Sequence, residues 1–178
     1  MDHTITLPLS ESTIAQLRAG DSVWLSGTVF TARDAAHKKL CALLTEGQPL
    51  PICLSGAAIY YAGPCPAKPG QVINSCGPTS AVRMNAYAPA LFDSGVCCTI
   101  AKGPVSEEVR RAIMRNHAVY FCATGGAGAL ISKCITAAEE VAFLELGTES
   151  IKKLTVENMP LIVGIDAQGN SLFEGITK

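Results

Sequence analysis

The sequence predicts an α/β fold in which helices pack on a mostly parallel sheet. From residue 22 onward, segments with strand composition alternate with segments of helical spacing, and this alternation is typical of that class. Hydrophobic residues make up 48% of the 178 residues and charged residues only 16%. A chain of this length and composition buries enough apolar surface to fold without disulfides or structural metals. We expect a single domain spanning residues 1–178.

The first part of the chain is expected to contain two helices, two strands and a long loop. Residues 9–17 form a short helix with a serine N-cap, and residues 22–31 form a strand rich in β-branched and aromatic side chains. The apolar spacing of residues 33–45 predicts the second helix. Residues 46–76 are rich in proline and glycine, which indicates a loop around one short strand at residues 57–62.

The second part of the chain alternates helices and strands. Gly77 and Pro78 begin a helix, because proline is tolerated in a first helical turn, and Gly95 ends it. An apolar run at 160–166 and the segment 171–174 are expected to form a hairpin. Crowded glycines and antiparallel-looking early strands also suggest a second β layer. The remaining segments are the strands 96–101, 118–123 and 137–144 and the helices 106–116 and 127–133.

The charge pattern argues against several classes of function. Basic and acidic residues nearly balance, at 14 and 15, and the sequence has no basic run that would follow a nucleic-acid backbone. No apolar stretch approaches the roughly 18 residues of a membrane-spanning helix, and the first residues lack the features of a signal peptide. We therefore expect a cytoplasmic protein that binds neither nucleic acid nor membrane.

The eight cysteines do not follow the spacing of a metal site or of a disulfide scaffold. The sequence contains no CxxC pair, and its only close pair, Cys97 and Cys98, is adjacent in an apolar run, where neighbouring side chains of a strand point to opposite faces. We expect reduced, mostly buried thiols and no metal held by this chain.

Arg33 and His37 form the first candidate for chemistry. Arg33 lies where a predicted strand gives way to a helix, and the start of a helix favours bound anions over a resident cation. His37, four residues later, shares its helix face. Arg33 is also compatible with a simple ion pair to a surface acid, and His37 with an ordinary core histidine.

Thr79, Arg83 and Lys102 form the second candidate. In the predicted helix that begins at Gly77, Thr79 and Arg83 share one face, and Lys102 follows a predicted strand at the edge where open α/β sheets bind ligands. Together with Arg33, they place cations at three strand or helix ends, which could converge on one pocket for a small dianion. The alternatives are a helix-start hydroxyl for Thr79 and a solvated turn lysine for Lys102.

Five segments of the chain, in order, resemble the C-terminal domain of the iron-sulfur class I fumarases, from about Gly20 to Glu174. In two-component enzymes of this kind, and in the related L-tartrate dehydratases, that domain is a separate β subunit. The segments are GTVFTARDAAH (27–37), YAGP (61–64), GPTSAVRM (77–84), IAKG (100–103) and AVYFCATGGA (118–127).

The resemblance implies a swivelling β/β/α domain of the iron-sulfur hydro-lyase type. It also implies a fumarase-type α subunit as partner, whose three cysteines hold a 4Fe-4S cluster with one iron free to bind substrate. That iron would act as a Lewis acid on the leaving hydroxyl. This sequence has no counterpart of the cluster-binding domain, so the chain alone is expected to be inactive.

Carried over by motif position, the resemblance assigns roles to four residues. Arg33, Arg83 and Lys102 bind the two carboxylates of the substrate, and Thr79 lies at its reacting side as proton acceptor. A planar guanidinium matches a carboxylate, and cations placed where negative charge develops stabilise the transition state. Thr79, Arg83 and Lys102 are the expected catalytic residues, while Asp34 and His37 lie behind Arg33, where His37 would orient Arg33 or Asp34.

Three functions are therefore carried forward from the sequence. The first is the β subunit of a fumarate hydratase that interconverts fumarate and (S)-malate. The second is the β subunit of an L-tartrate dehydratase, whose substrate carries one more hydroxyl on the same skeleton. The third is a dicarboxylate-binding module without catalysis, which the joint presence of Arg33, Thr79, Arg83 and Lys102 disfavours.

Overall fold

The computed structural model describes residues 1–175, and seven strands in this range form one sheet. The last three residues of the predicted domain, 176–178, lie outside the described residues. The strands are β1 (Asp2–Thr6), β2 (Ser22–Thr31), β3 (Ala58–Tyr60), β4 (Cys98–Ala101), β5 (Val119–Cys122), β6 (Ile135–Ala142) and β7 (Ile151–Ile165).

The sheet closes into a barrel of five strands. Its order is β1-β2-β3-β4-β5-β7-β6, and a further pairing of β2 with β7 joins β2, β3, β4, β5 and β7 in a ring. Neighbours from β1 to β5 run parallel, whereas β7 is antiparallel to β2, β5 and β6. The α/β class is confirmed, but the sheet is mixed rather than mostly parallel, because the long strand β7 pairs antiparallel with three others. The second β layer is instead the far wall of the barrel.

Within residues 1–175, five α-helices and three short 3₁₀ helices connect the strands. The α-helices are α1 (Glu11–Gln16), α2 (Asp34–Thr45), α3 (Ala88–Asp93), α4 (Glu107–Arg115) and α5 (Gly128–Ile131), and the 3₁₀ helices are Ala81–Met84, Ser132–Cys134 and Leu144–Glu149. The hydroxyls of Ser10 and Ser106 accept from backbone N–H groups of Thr13 and Val109 and so cap α1 and α4. None of the helices in this part of the chain is long and apolar enough to cross a membrane.

Two hydrophobic clusters lie on the two sides of the barrel wall. Alternate residues of the strands, among them Tyr60 and Phe121, fill the interior of the barrel. The intervening residues point outward and pack against α2, α3 and α4, through side chains such as Leu40, Phe92 and Ile113. All five of these side chains are fully buried, and burial of each contributes roughly 1.5–3 kcal/mol.

The predicted start of a helix at Gly77 is wrong, because the backbone there bonds to the ends of strands. The Thr79 N–H donates to the Tyr61 carbonyl at 2.7 Å, and the Lys102 N–H donates to the Thr79 carbonyl at 3.2 Å. Ser80 and Lys102 then form an isolated parallel bridge. Helical structure begins only at Ala81, with a single 3₁₀ turn, and continues as α3, which ends just before Gly95 as predicted.

Most of β7 was missed because its alternation of buried and exposed residues is interrupted. The pairing of β7 with β2 shifts register between Leu25 and Gly27, and Asn158 adopts a φ of 49° within the strand. Only its last six residues, 160–165, stand out as a continuous apolar run. β1 was also missed, since it is an edge strand with one buried side chain, Ile5. The predicted hairpin is reduced to one bridge between Ile165 and Ser171.

Candidate functional site

The candidate residues lie at the carboxyl edge of the parallel strands. Arg33 follows the end of β2 by two residues, and Lys102 comes directly after β4. The segment after β3, which lies between β2 and β4 in the sheet, reaches Arg33. A Cβ atom at Gly63 would lie 3.1 Å from both Cδ and Nη1 of Arg33. This edge is where open parallel sheets bind ligands.

Asp34 joins the two arginines of the site. The Arg83 Nε donates to Asp34 Oδ1 at 2.9 Å, and the Arg33 Nε lies 3.8 Å from Asp34 Oδ2. The Asp34 carboxylate is one-third exposed and the Arg83 side chain is half-exposed. The structure therefore brings Arg33, Asp34 and Arg83 together, although 49 residues separate Asp34 from Arg83.

Glu149 is a member of this cluster that the sequence analysis missed. One of its carboxylate oxygens lies 3.4 Å from Arg33 Nη2, and the other accepts from the Ala35 N–H at 3.2 Å. The anion-binding start of α2 is thus filled by a carboxylate of the chain itself. Glu149 comes from the segment between β6 and β7, and no sequence signal tied that segment to α2 while β7 was only partly recognised.

Three buried polar atoms in the described residues have no hydrogen-bond partner, and all three belong to the RDxAH segment. They are Arg33 Nε, Asp34 Oδ2 and His37 Nε2. Buried polar groups in native proteins are nearly always paired, so each exception requires an explanation. The whole Arg33 side chain donates no hydrogen bond within residues 1–175. Nε is buried, but the terminal N–H groups of this 24% exposed side chain are open to a ligand.

His37 is a core histidine whose ring contacts the backbone of Arg33. Its side chain is fully buried, its ring packs edge-on against Tyr61 at 4.9 Å, and its Nδ1 lies 2.9 Å from the Arg33 carbonyl. Because a carbonyl only accepts, Nδ1 carries the proton. Burial lowers the pKa of His37 to about 4, against the smaller opposing effects of the Arg33 carbonyl and Asp34. The ring is neutral at pH 7.

Thr79 and Lys102 form a second group, held by backbone bonds to each other and to the end of β3. Of the lysines in residues 1–175, Lys102 is the only one that is partly buried and has no carboxylate within 4 Å. Within the same range, no side chain hydrogen-bonds the Thr79 hydroxyl. No side-chain bond of the described residues joins this group to the Arg33 cluster; the two are linked through the backbone, because the segment that carries Thr79 also carries Arg83 four residues later.

The residues of this chain do not fit a 4Fe-4S cluster. Such clusters are held by converging cysteine thiolates, and residues 1–175 contain no group of three or more His, Cys, Asp or Glu side chains arranged to hold a metal ion. All eight cysteines are free thiols. The prediction that they are mostly buried is wrong, since only Cys76 and Cys98 are fully buried, while Cys53 and Cys65 are exposed.

The structure is an α/β barrel domain that carries cationic side chains just beyond the carboxyl ends of its parallel strands. The chain belongs to the fumarase C-terminal family, since the family model described as "Fumarase C-terminus" matches residues 2–176. The family predicted from the five sequence segments is therefore confirmed.

One curated relative is about as long as this chain, and others are much longer. The chain is 35% identical to the putative L(+)-tartrate dehydratase subunit beta of Methanocaldococcus jannaschii, over all of this chain and 94% of that protein. It is 37% identical to fumarate hydratase 2 of Leishmania major, over 90% of this chain and 28% of that protein. The anaerobic class I fumarate hydratase of Escherichia coli is 35% identical, over 93% of this chain and 30% of the enzyme. The chain thus spans less than a third of these two fumarate hydratases.

Proposed function

We propose that this chain is the β subunit of a two-component iron-sulfur hydro-lyase, a fumarate hydratase that adds water reversibly to fumarate to give (S)-malate. The observation that carries the proposal is the family match over residues 2–176 in a chain that corresponds to the last part of much longer fumarate hydratases. We further propose that residues 1–178 act as one domain of the swivelling β/β/α type, which turns its carboxyl edge toward the partner.

Arg33, Arg83 and Lys102 are the proposed ligands of the two substrate carboxylates. Arg33 has unused N–H donors, and Lys102 has an unpaired ammonium group. When the proton next to a carboxylate leaves malate, negative charge builds on that carboxylate. Cations already in place stabilise this charge more than that of bound malate, and this difference raises the rate.

Thr79 is the proposed acceptor of the proton at the reacting carbon. Its backbone is bonded on both sides, to the carbonyl of Tyr61 and the N–H of Lys102, so its side chain is presented from a rigid strand end. A hydroxyl is a weak base and needs an activating neighbour. Since no side chain of residues 1–175 hydrogen-bonds it, its activation is not provided by a contact within this range.

Asp34 and His37 are proposed to position the arginines without touching substrate. Asp34 holds the Arg83 Nε directly, and the His37 ring fixes the backbone carbonyl of Arg33. The neutral state of His37 supports this assignment, because it removes any competing positive charge behind the guanidinium.

We propose that a fumarase-type α subunit holds the 4Fe-4S cluster, which supplies Lewis-acid chemistry when bound. The absence of a suitable donor group in residues 1–175 supports this arrangement, as does the relative that is itself named a subunit beta. The eight free thiols support a location in the reducing cytoplasm.

A second candidate is the β subunit of an L-tartrate dehydratase. One specific observation favours it: the relative whose length matches this chain is named a putative L(+)-tartrate dehydratase subunit beta. Tartrate shares the dicarboxylate skeleton, so the same three cations would bind it. A module that binds dicarboxylates without catalysis remains the alternative of another class.

The test is anaerobic co-expression of this chain with its α partner, followed by turnover assays with malate and with L-tartrate. We expect catalytic efficiency for malate to exceed that for L-tartrate by at least about tenfold, or 1.4 kcal/mol. Turnover of tartrate alone would replace the fumarase assignment with the second candidate. Binding of both acids without turnover by the assembled, cluster-loaded complex would favour the binding module.

A further inference from the structure

We propose that Glu149 is a positioning residue for Arg33, which holds the guanidinium in place while leaving its N–H donors free for a substrate carboxylate. This inference rests on the proposed function of Arg33. Glu149 lies 114 residues from Ala35 in the first turn of α2, yet its carboxylate contacts both Arg33 and the Ala35 N–H.

The segment that carries Glu149 is fixed at several points. Lys152 Nζ donates to the Gly147 carbonyl at 3.1 Å and lies 3.1 Å from the Glu140 carboxylate. The Thr31 hydroxyl, at the end of β2, donates to the Ser150 carbonyl at 3.3 Å and accepts from the Lys152 N–H at 3.0 Å. The loop is therefore anchored to the same strand end from which Arg33 emerges.

Glu149 attracts the Arg33 guanidinium through opposite charge without forming a hydrogen bond to it. The Glu149 oxygen lies 3.4 Å from Nη2, and the Asp34 oxygen lies 3.8 Å from Nε. Neither contact is a formed hydrogen bond, and Arg33 Nε stays unpartnered. Two carboxylates thus flank the guanidinium closely enough to restrain it, yet they leave its donors unused. The Glu149 side chain is only 23% exposed, so water screens this attraction incompletely.

The chain provides a matched control in the same loop. Glu145 pairs with Lys39 of α2, but its side chain is 59% exposed. Glu149→Gln removes the charge next to Arg33 and keeps an oxygen that can accept from the Ala35 N–H. Glu145→Gln also removes one charge from this loop, at a residue that contacts α2 away from Arg33.

The kinetic test uses the reconstituted complex with its α partner and malate. We expect Glu149→Gln to raise KM at least about tenfold with kcat within about twofold, since it weakens substrate binding and touches no reacting atom. Glu145→Gln should leave both constants within twofold. In an Arg33→Ala background, Glu149→Gln should add less than a twofold change, because its effect passes through Arg33. Unchanged KM in Glu149→Gln, or effects that multiply in the double variant, would overturn the proposal.

A second measurement separates this proposal from the proposed function. In the isolated chain labelled with ¹⁵N, we expect the Arg33 Nε–H to exchange with solvent at least about fivefold faster in Glu149→Gln than in the wild type or Glu145→Gln. Equal exchange in all three proteins would refute the positioning role. A wild-type complex that turns over neither malate nor tartrate would refute the proposed function while this exchange result still decides the role of Glu149.

Discussion

The guanidinium of Arg83 donates through Nε to Asp34 Oδ1 at 2.9 Å, and this bond joins two segments that 49 residues separate in the chain. Asp34 also faces Arg33, so a single carboxylate holds the relative position of the two arginines. Arg33 and Arg83 are both proposed to bind substrate carboxylates. The distance between them therefore depends on Asp34, which need not touch substrate itself.

Asp34→Asn is expected to lower kcat/KM for malate by about tenfold in the reconstituted complex, or 1.4 kcal/mol. The amide oxygen can still accept from Arg83, but the attraction between opposite charges is lost. Steady-state kinetics on malate measure the effect. Asp93→Asn is the matched control, because Asp93 forms a two-point ion pair with Arg115 elsewhere on the surface. Equal losses in the two variants would show that Asp34 has no special role.

Gly63→Ala is expected to raise KM for malate several-fold. The new Cβ would lie 3.1 Å from Arg33 Cδ and Nη1 and 3.3 Å from the Thr148 carbonyl oxygen, so the guanidinium would have to move. Gly125→Ala is the control at the other cation, since its Cβ would lie 3.6 Å from Lys102 Cδ, an ordinary contact. Steady-state kinetics of the two variants, measured in parallel, test this prediction. A normal KM in Gly63→Ala would place Arg33 away from the substrate.

Burial of neutral His37 is expected to make stability depend on pH. Its pKa is about 4 in the folded chain against an ordinary value of 6.5, so the unfolded chain binds more protons between these values. The contribution is complete above pH 6.5 and is lost as pH falls toward 4, by about 2 kcal/mol between pH 7 and pH 5. Urea unfolding at the two pH values measures it.

His37→Asn should lose that part of the pH dependence, whereas His117→Asn should keep it. His117 is exposed and has a φ of 48°, a conformation that asparagine tolerates well. The same slope in wild type and His37→Asn would mean that His37 titrates normally.

Gly128→Ala is expected to destabilise the chain by about 1–3 kcal/mol through overpacking. Its Cβ would lie 2.5 Å from Ser75 Oγ, 3.0 Å from Gly77 N and 3.1 Å from Gly77 Cα. The reciprocal change, Gly77→Ala, places its Cβ at an ordinary 3.7 Å from Gly128 Cα and should alter stability by less than about 0.5 kcal/mol. Thermal unfolding of both variants tests this difference. An equal change in stability would contradict the close approach of Gly128 to Gly77.

Local patterns in the sequence were sufficient for the parts of the fold with short-range signals. The serine cap of α1, the full extent of β2, the helix that follows Arg33 and the helix at 106–116 agree with the structure. Each of these depends on propensity, capping or spacing within a few residues.

The barrel and part of the site depend on long-range pairing that local patterns do not encode. β7 pairs with β2 across more than 120 residues and carries a register shift, which hides its periodicity. Once β7 is missed, the loop before it is also misplaced, and with it Glu149. Likewise, the i,i+4 relation inferred for Thr79 and Arg83 was wrong, since the Thr79 backbone bonds to strand ends rather than to a helix. The cations were chosen as candidates because so few charges occur beside turns.

The most direct measurement compares kcat/KM for malate in complexes that carry wild-type, Arg83→Ala, Lys102→Ala or Lys133→Ala β chains. Lys133 is exposed and serves as the control for loss of a positive charge. We predict that Arg83→Ala and Lys102→Ala each lower kcat/KM by at least about tenfold, or 1.4 kcal/mol, with unfolding midpoints unchanged and Lys133→Ala equal to wild type. Wild-type kinetics in both site variants would remove these cations from the substrate pocket and contradict the account.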